Sequence, residues 1–90
     1  MVSTPQYRFI RLITGSEIVD VDIFLFTDKT TVVVSMLYYK HEHIIMSSQT
    51  APDRKTALKH AFHAFYQTKF IYDQKQLSVL NKTIKKSIYE

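Results

Sequence analysis

The residues best suited to binding or chemistry are the run Tyr39-Lys40-His41 and four histidines in two separate segments. Lysine binds phosphate as a cation, and a histidine ring can stack on an unpaired base or hydrogen-bond to it. Histidine also ligates metals. His41 and His43 alternate on a predicted strand, whereas His60 and His63 lie about one helical turn apart. The first group suits single-stranded nucleic acid, and the histidines together suit a metal ion.

Neither group is accompanied by a recognisable catalytic arrangement. No acidic ligand set or His-Glu-x-x-His spacing supports the histidines, and Glu42 would point away from its two histidine neighbours on a strand. The chain has no cysteine, and one glycine cannot build a Gly-x-Ser-x-Gly elbow or a phosphate-cradling loop. We therefore expect no enzymatic activity, no catalytic residue, no cofactor and no metal site.

Charge is divided unevenly along the chain. Residues 1–49 carry four Lys or Arg against five carboxylates, a net charge of −1, and residues 50–90 carry eight against three, a net charge of +5. A basic half attracts polyanions because lysine and arginine release counterions from phosphate backbones. A solvated helix face is the alternative. Lys82, Lys85 and Lys86 form the basic surface expected near the end of the chain.

The secondary structure that must position these residues is predicted to change from strands to helix near residue 49. Apolar–polar alternation predicts an antiparallel meander of four or five strands over residues 6–48. Gly15, the only glycine, is expected in a hairpin turn at a positive φ. Residues 31–39 predict a long strand that could be buried on both sides, and residues 44–46 a short further strand. One face of the second strand is predicted to hold the apolar positions Val19, Val21, Ile23 and Leu25.

The second half, residues 50–90, has helical periodicity. Thr50-Ala51-Pro52-Asp53 predicts a helix start capped by Thr50, and Asp73 predicts a second start. The first helix is expected to face the protein core with the apolar stripe Leu58, Ala61, Phe62 and Phe65. The corresponding stripe of the second helix is Leu77, Leu80, Ile84 and Ile88. One or two helices therefore follow the β unit within a single domain spanning residues 1–90.

Size and location set further expectations. A chain of ninety residues buries only a small core. Because it has no cysteine to form disulfides, packing between subunits is expected to stabilise the fold. The first residues lack a signal-peptide pattern, and no apolar run approaches the roughly 20 residues that span a bilayer. The sequence thus predicts a cytoplasmic protein of a bacterium, or of a virus inside its host cell, with no membrane partner.

Three segments of the β unit carry a resemblance to a known family. They are residues 12–19 around Gly15, Phe26-Thr27-Asp28, and residues 34–41, which end in Tyr39-Lys40-His41. In order and spacing they resemble the two motifs of the Sm-like family, which includes Sm and LSm proteins and bacterial Hfq, with the second motif closest to Hfq. The resemblance covers about residues 7–48. It implies a strongly bent five-stranded antiparallel barrel that assembles as a homo-oligomeric ring and binds single-stranded RNA.

The resemblance also implies roles for individual residues. Lys40 and His41 would lie at the rim of the central pore, with Thr31 or Asp28 contacting a base edge. Tyr39 would pack across the subunit boundary. Asp20 stands where the family has a glycine, the Ile/Leu-Arg-Gly signature is absent, and the helices follow the barrel instead of preceding it. Ring assembly is therefore better supported than the contacts to bases.

A protein-binding module, such as a small adaptor or a viral inhibitor of a host protein, is the alternative function. The helical half is rich in aromatic residues that can form either a partner surface or part of the core: Phe62, Phe65, Tyr66, Phe70 and Tyr72. An Sm-like barrel without RNA-binding residues would still serve as an assembly scaffold.

Overall fold

The computed structural model describes the backbone of residues 4–38 and 43–89, and the side chains of the same residues apart from Tyr38, His43 and residues 78–89. Within them the chain forms four strands and then one helix, in the order β1 (Gln6–Thr14), β2 (Glu17–Leu25), β3 (Thr30–Tyr38), β4 (His43–Ala51) and α1 (Arg54–Tyr89). The strands pair with their sequence neighbours as an antiparallel sheet, β1-β2-β3-β4. The predicted β-then-helix order is confirmed, and the sheet is open.

Tight turns connect β1 to β2 and β2 to β3 where the sequence places its turn residues. Gly15 has φ 60° between β1 and β2, which confirms the expected hairpin, and a side chain there would strain the backbone. The β2–β3 turn is closed by a hydrogen bond from the Phe26 amide to the Lys29 carbonyl, at 2.9 Å. β4 is longer than the predicted short strand, because its pairing with β3 continues to Ala51 opposite Thr30.

The core lies on one face of the sheet, here called the inner face, beneath α1. Its most deeply buried side chains come from the middle strands and from the first turns of the helix. The predicted apolar face of β2 is confirmed for Val19, Val21 and Ile23, and Leu25 is half-buried. The buried apolar residues of the core are Val19, Val21, Ile23, Val32, Val34, Met36, Ile45, Ala51, Ala57, Ala61 and Phe65.

β3 is buried on one side only, which corrects the expectation that it lies between two layers. Val32, Val34 and Met36 are buried beneath the helix, whereas Thr31, Val33 and Ser35 on the opposite face are half-buried. The helix packs on β4 and β3 from one side, and no second layer covers the other side within the described residues. The continuous apolar run of β3 therefore reflects the preference of these residues for strands, and it does not indicate burial on both faces.

The helix begins later than its predicted cap. Thr50 and Ala51 still pair with β3, so Asp53 takes the capping position, and its Oδ2 accepts hydrogen bonds from the Thr56 amide at 3.3 Å and the Thr56 hydroxyl at 3.0 Å. These bonds hold the pKa of Asp53 below its usual value. Thr50 therefore pairs with β3 in the sheet and does not cap the helix.

α1 is continuous through Asp73, so the predicted second start is wrong. No glycine or proline follows Pro52, and the Asp73 carboxylate bonds to Lys69 one turn earlier instead of capping a new helix. At 36 residues α1 is about 54 Å long, whereas a nine-residue strand spans roughly 30 Å. The helix therefore extends beyond the sheet, in keeping with a longest dimension of 67 Å.

Candidate interaction surfaces

The residues predicted to bind RNA fall into two groups in the fold. Tyr39, Lys40 and His41 lie outside the described residues, in the connection between β3 and β4. Asp28 is exposed in the β2–β3 turn, and Thr31 lies near the start of β3 with its Oγ1 2.8 Å from Oγ1 of Thr50. The predicted base-contacting residues are thus available at the surface, but at the end of the sheet where α1 begins.

The described base-contacting residues lie near the start of β3. Tyr38, the last residue of that strand, follows Thr31 by seven positions, which corresponds to about 23 Å of strand. Lys40 and His41 come after Tyr38 in the sequence.

The basic cluster at the end of the chain belongs to the distal half of α1. The helix backbone continues through Lys82, Lys85 and Lys86 to Tyr89, and the side chains of these lysines lie outside the described residues. Closer to the sheet, Lys69 Nζ lies 3.0 Å from Asp73 Oδ2 and 3.3 Å from Glu17 Oε1 at the start of β2. The hydrogen bond with Asp73, and then that with Glu17, raise the pKa of Lys69 despite its partial burial.

The face of the sheet away from α1, here called the outer face, carries an exposed apolar row. The pairing places Ile13 beside Ile18 and Leu37 beside Ile44, and one further step of the β2–β3 register places Ile18 beside Leu37. Each strand therefore contributes one branched aliphatic side chain to the row. Their exposed fractions are 70% for Ile13, 47% for Ile18, 70% for Leu37 and 67% for Ile44. Exposed apolar patches of several hundred Å² are typical of interaction sites, and this row is the candidate on the outer face.

Charged and aromatic pairs flank this outer row. Arg11 lies opposite Asp20 and binds it with both Nε (2.7 Å) and Nη2 (3.1 Å), and its guanidinium lies 5.5 Å from the centre of the Phe9 ring. The hydrogen bond from Arg11 lowers the pKa of Asp20. The Tyr7 hydroxyl donates to Asp22, which raises the pKa of Tyr7. These contacts hold the outer side chains of β1 and β2 in place beside the apolar row.

Strand β1 is exposed along its whole length. All nine of its residues are exposed, although Ile10 and Leu12 point to the inner face, where the equivalent positions of β2 are buried. α1 packs on β4 and β3 and does not cover this edge of the sheet. β1 has no proline, and its charged residues are Arg8 and Arg11, of which Arg11 is bound to Asp20. The backbone groups along its outer edge are open to pairing with another strand.

A further apolar surface lies on α1, on the side away from the core. A shallow groove there is lined by Phe62, His63, Tyr66, Gln67, Phe70 and Ile71. The Phe62 and Tyr66 rings stack at 6.3 Å, and Tyr66 meets Phe65 edge-on at 5.1 Å. Of the five aromatic residues considered for a partner surface, Phe65 is a core residue, whereas Tyr66 and Phe70 are exposed.

We find no match to this chain among protein-family models, curated proteins or solved structures. The described residues contain no group of three or more His, Cys, Asp or Glu side chains that could hold a metal ion. Nor does the described part of α1 combine the length and apolarity required of a membrane-crossing helix. The Sm-like resemblance consequently remains a prediction.

The apolar row is the feature that sequence reasoning missed. Ile18 lies on the same face of β2 as Asp20 and Asp22, which the alternation had already placed away from the core. If Ile18 is paired with Ile13 across the Gly15 turn, the sequence predicts that the outer face is apolar at this end of the sheet.

Proposed function

We propose that this protein is a non-enzymatic, homo-oligomeric module that binds single-stranded RNA. The observation that carries the assembly is the exposed apolar surface of the sheet, which consists of the outer-face row Ile13, Ile18, Leu37 and Ile44 and of Ile10 and Leu12 on the inner face of β1. A monomer would leave this surface in water and the outer edges of β1 and β4 unpaired, whereas contact between copies would cover the surface and pair the edges. An Sm-like form of this assembly would be a ring of five-stranded barrels.

The RNA part of the proposal is supported by charge and by the Sm-like resemblance. Residues 50–90 have a net charge of +5, and assembly multiplies that charge on one particle. In a ring, Lys40 and His41 would recur in every copy and form a collar for phosphates and bases. Bringing copies together would also let Thr31 and Asp28 of one copy approach the β3–β4 connection of the next.

The test measures RNA binding and particle mass on the same sample. Fluorescent oligo-uridine and oligo-adenosine are titrated with the full chain across a salt series, and mass is measured by sedimentation velocity. We expect binding by an oligomer, with affinity that falls as salt rises because phosphate contacts release counterions. An oligomer that binds neither oligonucleotide at low salt would contradict the RNA proposal.

Variants locate the binding site. Lys40→Ala with His41→Ala should lower affinity roughly tenfold and reduce the salt slope by about one if the pore-rim residues bind RNA. Lys55→Ala, which removes one charge from the exposed first turn of α1, is the matched control. If only Lys82→Ala, Lys85→Ala and Lys86→Ala reduce the slope, RNA binds the end of the helix and the rim assignment is wrong.

A protein scaffold or adaptor is the second candidate, and the apolar row on the outer face favours it. Ile13, Leu37 and Ile44 provide contact surface suited to protein but offer no cation or base-edge partner for RNA. An oligomer with no RNA affinity would support this candidate.

A further inference from the structure

Strand β1 presents backbone amides and carbonyls along the open edge of the sheet. The two-residue turn Gly15-Ser16 brings Thr14 opposite Glu17, and the residues that flank such a turn hydrogen-bond to each other. Hydrogen-bonded and non-hydrogen-bonded pairs alternate along an antiparallel ladder, so every second residue of β1 bonds to β2. The residues between them direct their backbone groups to the open edge, and these are Tyr7, Phe9, Arg11 and Ile13.

The strand is held in place before it meets a partner. On its outer face the Arg11 guanidinium binds Asp20 at 2.7 Å. On its inner face Ile10 and Leu12 are 40% and 41% exposed, because α1 packs on β4 and β3 instead. A strand that is already ordered loses little conformational entropy when it pairs, so this edge is prepared to accept another strand.

We propose that β1 pairs antiparallel with β1 of a second copy of this chain, about a two-fold axis that passes beside Ile10. This inference rests on the homo-oligomeric part of the proposed function, and it names the strand, direction and register of one contact. Ile10 is the middle residue of β1, so the register pairs all nine residues of the strand, from Gln6 opposite Thr14 of the second copy to Thr14 opposite its Gln6.

The backbone groups of the two edges match in this register. It places Phe9 opposite Arg11 of the second copy and Tyr7 opposite its Ile13, and all four residues direct their amides and carbonyls to the open edge. A register longer or shorter by one residue would oppose them to residues whose backbone groups are already bonded to β2. The pairing is therefore restricted to registers that differ by two.

The side chains that meet in this register are compatible. On the inner face Ile10 lies beside Ile10 of the second copy, and the aliphatic stem of Arg8 lies beside its Leu12. On the outer face Arg11 lies beside Phe9 of the second copy, a pair that is already 5.5 Å apart within one chain. The neighbouring register centred on Arg11 would set two arginines directly opposite each other, and the one centred on Phe9 would remove the contact between the Ile10 side chains.

The other open edge of the sheet, strand β4, is a poorer partner for β1. With the two strands centred on each other, Ile10 would lie beside Ser47 and Arg8 beside Gln49. An aliphatic side chain gains more beside another aliphatic side chain than beside a hydroxyl. Because α1 packs on β4 and β3, a β1–β1 pair also keeps the two helices on the far sides of the joined sheet. The outer apolar rows and the β4 edges then remain available for larger assembly.

Charge variants at the two-fold axis test the pairing by sedimentation equilibrium of the full chain. Ile10→Lys sets two like charges directly opposite each other, and Ile10→Glu does so with the other sign. We expect each variant alone to raise the dissociation constant roughly tenfold or more, and an equimolar mixture to associate about fivefold more tightly than either alone. Gln6→Lys adds the same charge to the same face at the end of the strand, and as the matched control it should stay within about twofold of the natural chain. Circular dichroism checks that each variant is folded.

Rescue in the mixture is specific to a two-fold contact. A contact between β1 and any other strand never places Ile10 opposite Ile10 of another copy, so lysine would not meet glutamate. A mixture that associates no better than the separate variants would overturn the pairing. Equal weakening by Gln6→Lys and Ile10→Lys would overturn it as well.

Disulfide formation tests the register, since the natural chain has no cysteine. The proposed register puts the Cα atoms of the two Ile10 residues about 4.5 Å apart, within reach of a disulfide, and those of the two Leu12 residues about 13 Å apart. Under mild oxidation Ile10→Cys should link to itself roughly tenfold faster than Leu12→Cys does. Arg8→Cys mixed with Leu12→Cys should link about as fast as Ile10→Cys. Faster self-linking of Leu12→Cys would place the axis elsewhere and overturn the register.

Failure of this pairing can be told apart from failure of the proposed function. A natural chain that stays monomeric contradicts the homo-oligomeric proposal itself. An oligomer whose mass is unchanged by Ile10→Lys contradicts only the β1 pairing, and the assembly then uses another surface.

Discussion

Strands β1 and β2 are equally long, pair residue for residue and carry apolar side chains on the same inner face, yet they differ completely in burial. Val19, Val21 and Ile23 of β2 lie beneath the helix, whereas Ile10 and Leu12 of β1 remain about 40% exposed. The same contrast divides α1, whose first turns are buried against the sheet and whose later apolar residues Phe70 and Leu77 are exposed. Coverage by another element and side-chain composition together separate the two strands, because Gln6 and Arg8 of β1 lie opposite Leu25 and Ile23 of β2.

The comparison separates the part of the protein that has its own core from the part whose apolar residues are exposed. Strands β2, β3 and β4 and the first turns of α1 enclose one hydrophobic core. A monomer leaves in water the apolar row on the outer face, Ile10 and Leu12 of β1, and the exposed apolar residues of α1 such as Phe70 and Leu77. Changes in the covered region should therefore alter folding, and changes in the uncovered region should alter association.

The largest expected effect is in the covered region. Phe65 is fully buried between α1 and the sheet, so Phe65→Ala should lower the free energy of unfolding by about 3–5 kcal/mol. Its neighbour Tyr66 is half-exposed, and Tyr66→Ala should change the unfolding free energy by no more than about 0.5 kcal/mol at a dilution where the chain is monomeric. Urea denaturation followed by circular dichroism measures both. Equal losses would mean that the two regions do not differ as described.

The next effect is on association through the outer face. Ile44→Lys puts a charge into the exposed apolar row, and it should raise the dissociation constant of the oligomer roughly tenfold or more because that charge would be buried. Ser48→Lys, which adds the same charge on the same face of β4 but outside the row, is the matched control. Sedimentation equilibrium of both variants gives the constants. Weakening by Ser48→Lys alone would exclude the row as the contact.

The smallest effect concerns the ion pair between β1 and β2. Arg11 lowers the pKa of Asp20, so the pair stabilises the folded chain above the ordinary aspartate pKa of about 4, and this contribution is lost as pH falls through the lowered value. The difference in unfolding free energy between wild type and Arg11→Ala should therefore be small at pH 7 and vanish near pH 2. Urea titrations at the two pH values measure it. A difference that grows in acid would contradict the assignment.

Much of the covered region could be predicted from the sequence because its signals are local. The alternation in residues 19–23 set the buried face of β2, and the only glycine marked the first hairpin. Helical spacing identified Ala61 and Phe65 as core residues and left Lys55, Lys59, His63 and Gln67 exposed. Each of these features depends on residues within a few positions of one another.

The uncovered region was harder to predict because its state depends on elements far apart in the chain. The exposure of β1 follows from where α1 lies, and the row on the outer face requires the register of all four strands. The second helix start at Asp73 was wrong because a capping residue does not end a helix that has no breaker before it. The predicted pore-rim residues Lys40 and His41, outside the described residues, stay a prediction.

Sedimentation velocity of the unmodified chain, alone and with oligo-uridine at low salt, tests the central claim most directly. The account predicts a species several times the 10.6 kDa mass of one chain, with the labelled oligonucleotide sedimenting in the same boundary. A single boundary at the mass of one chain, at concentrations up to the millimolar range and with free oligonucleotide left behind, would contradict it.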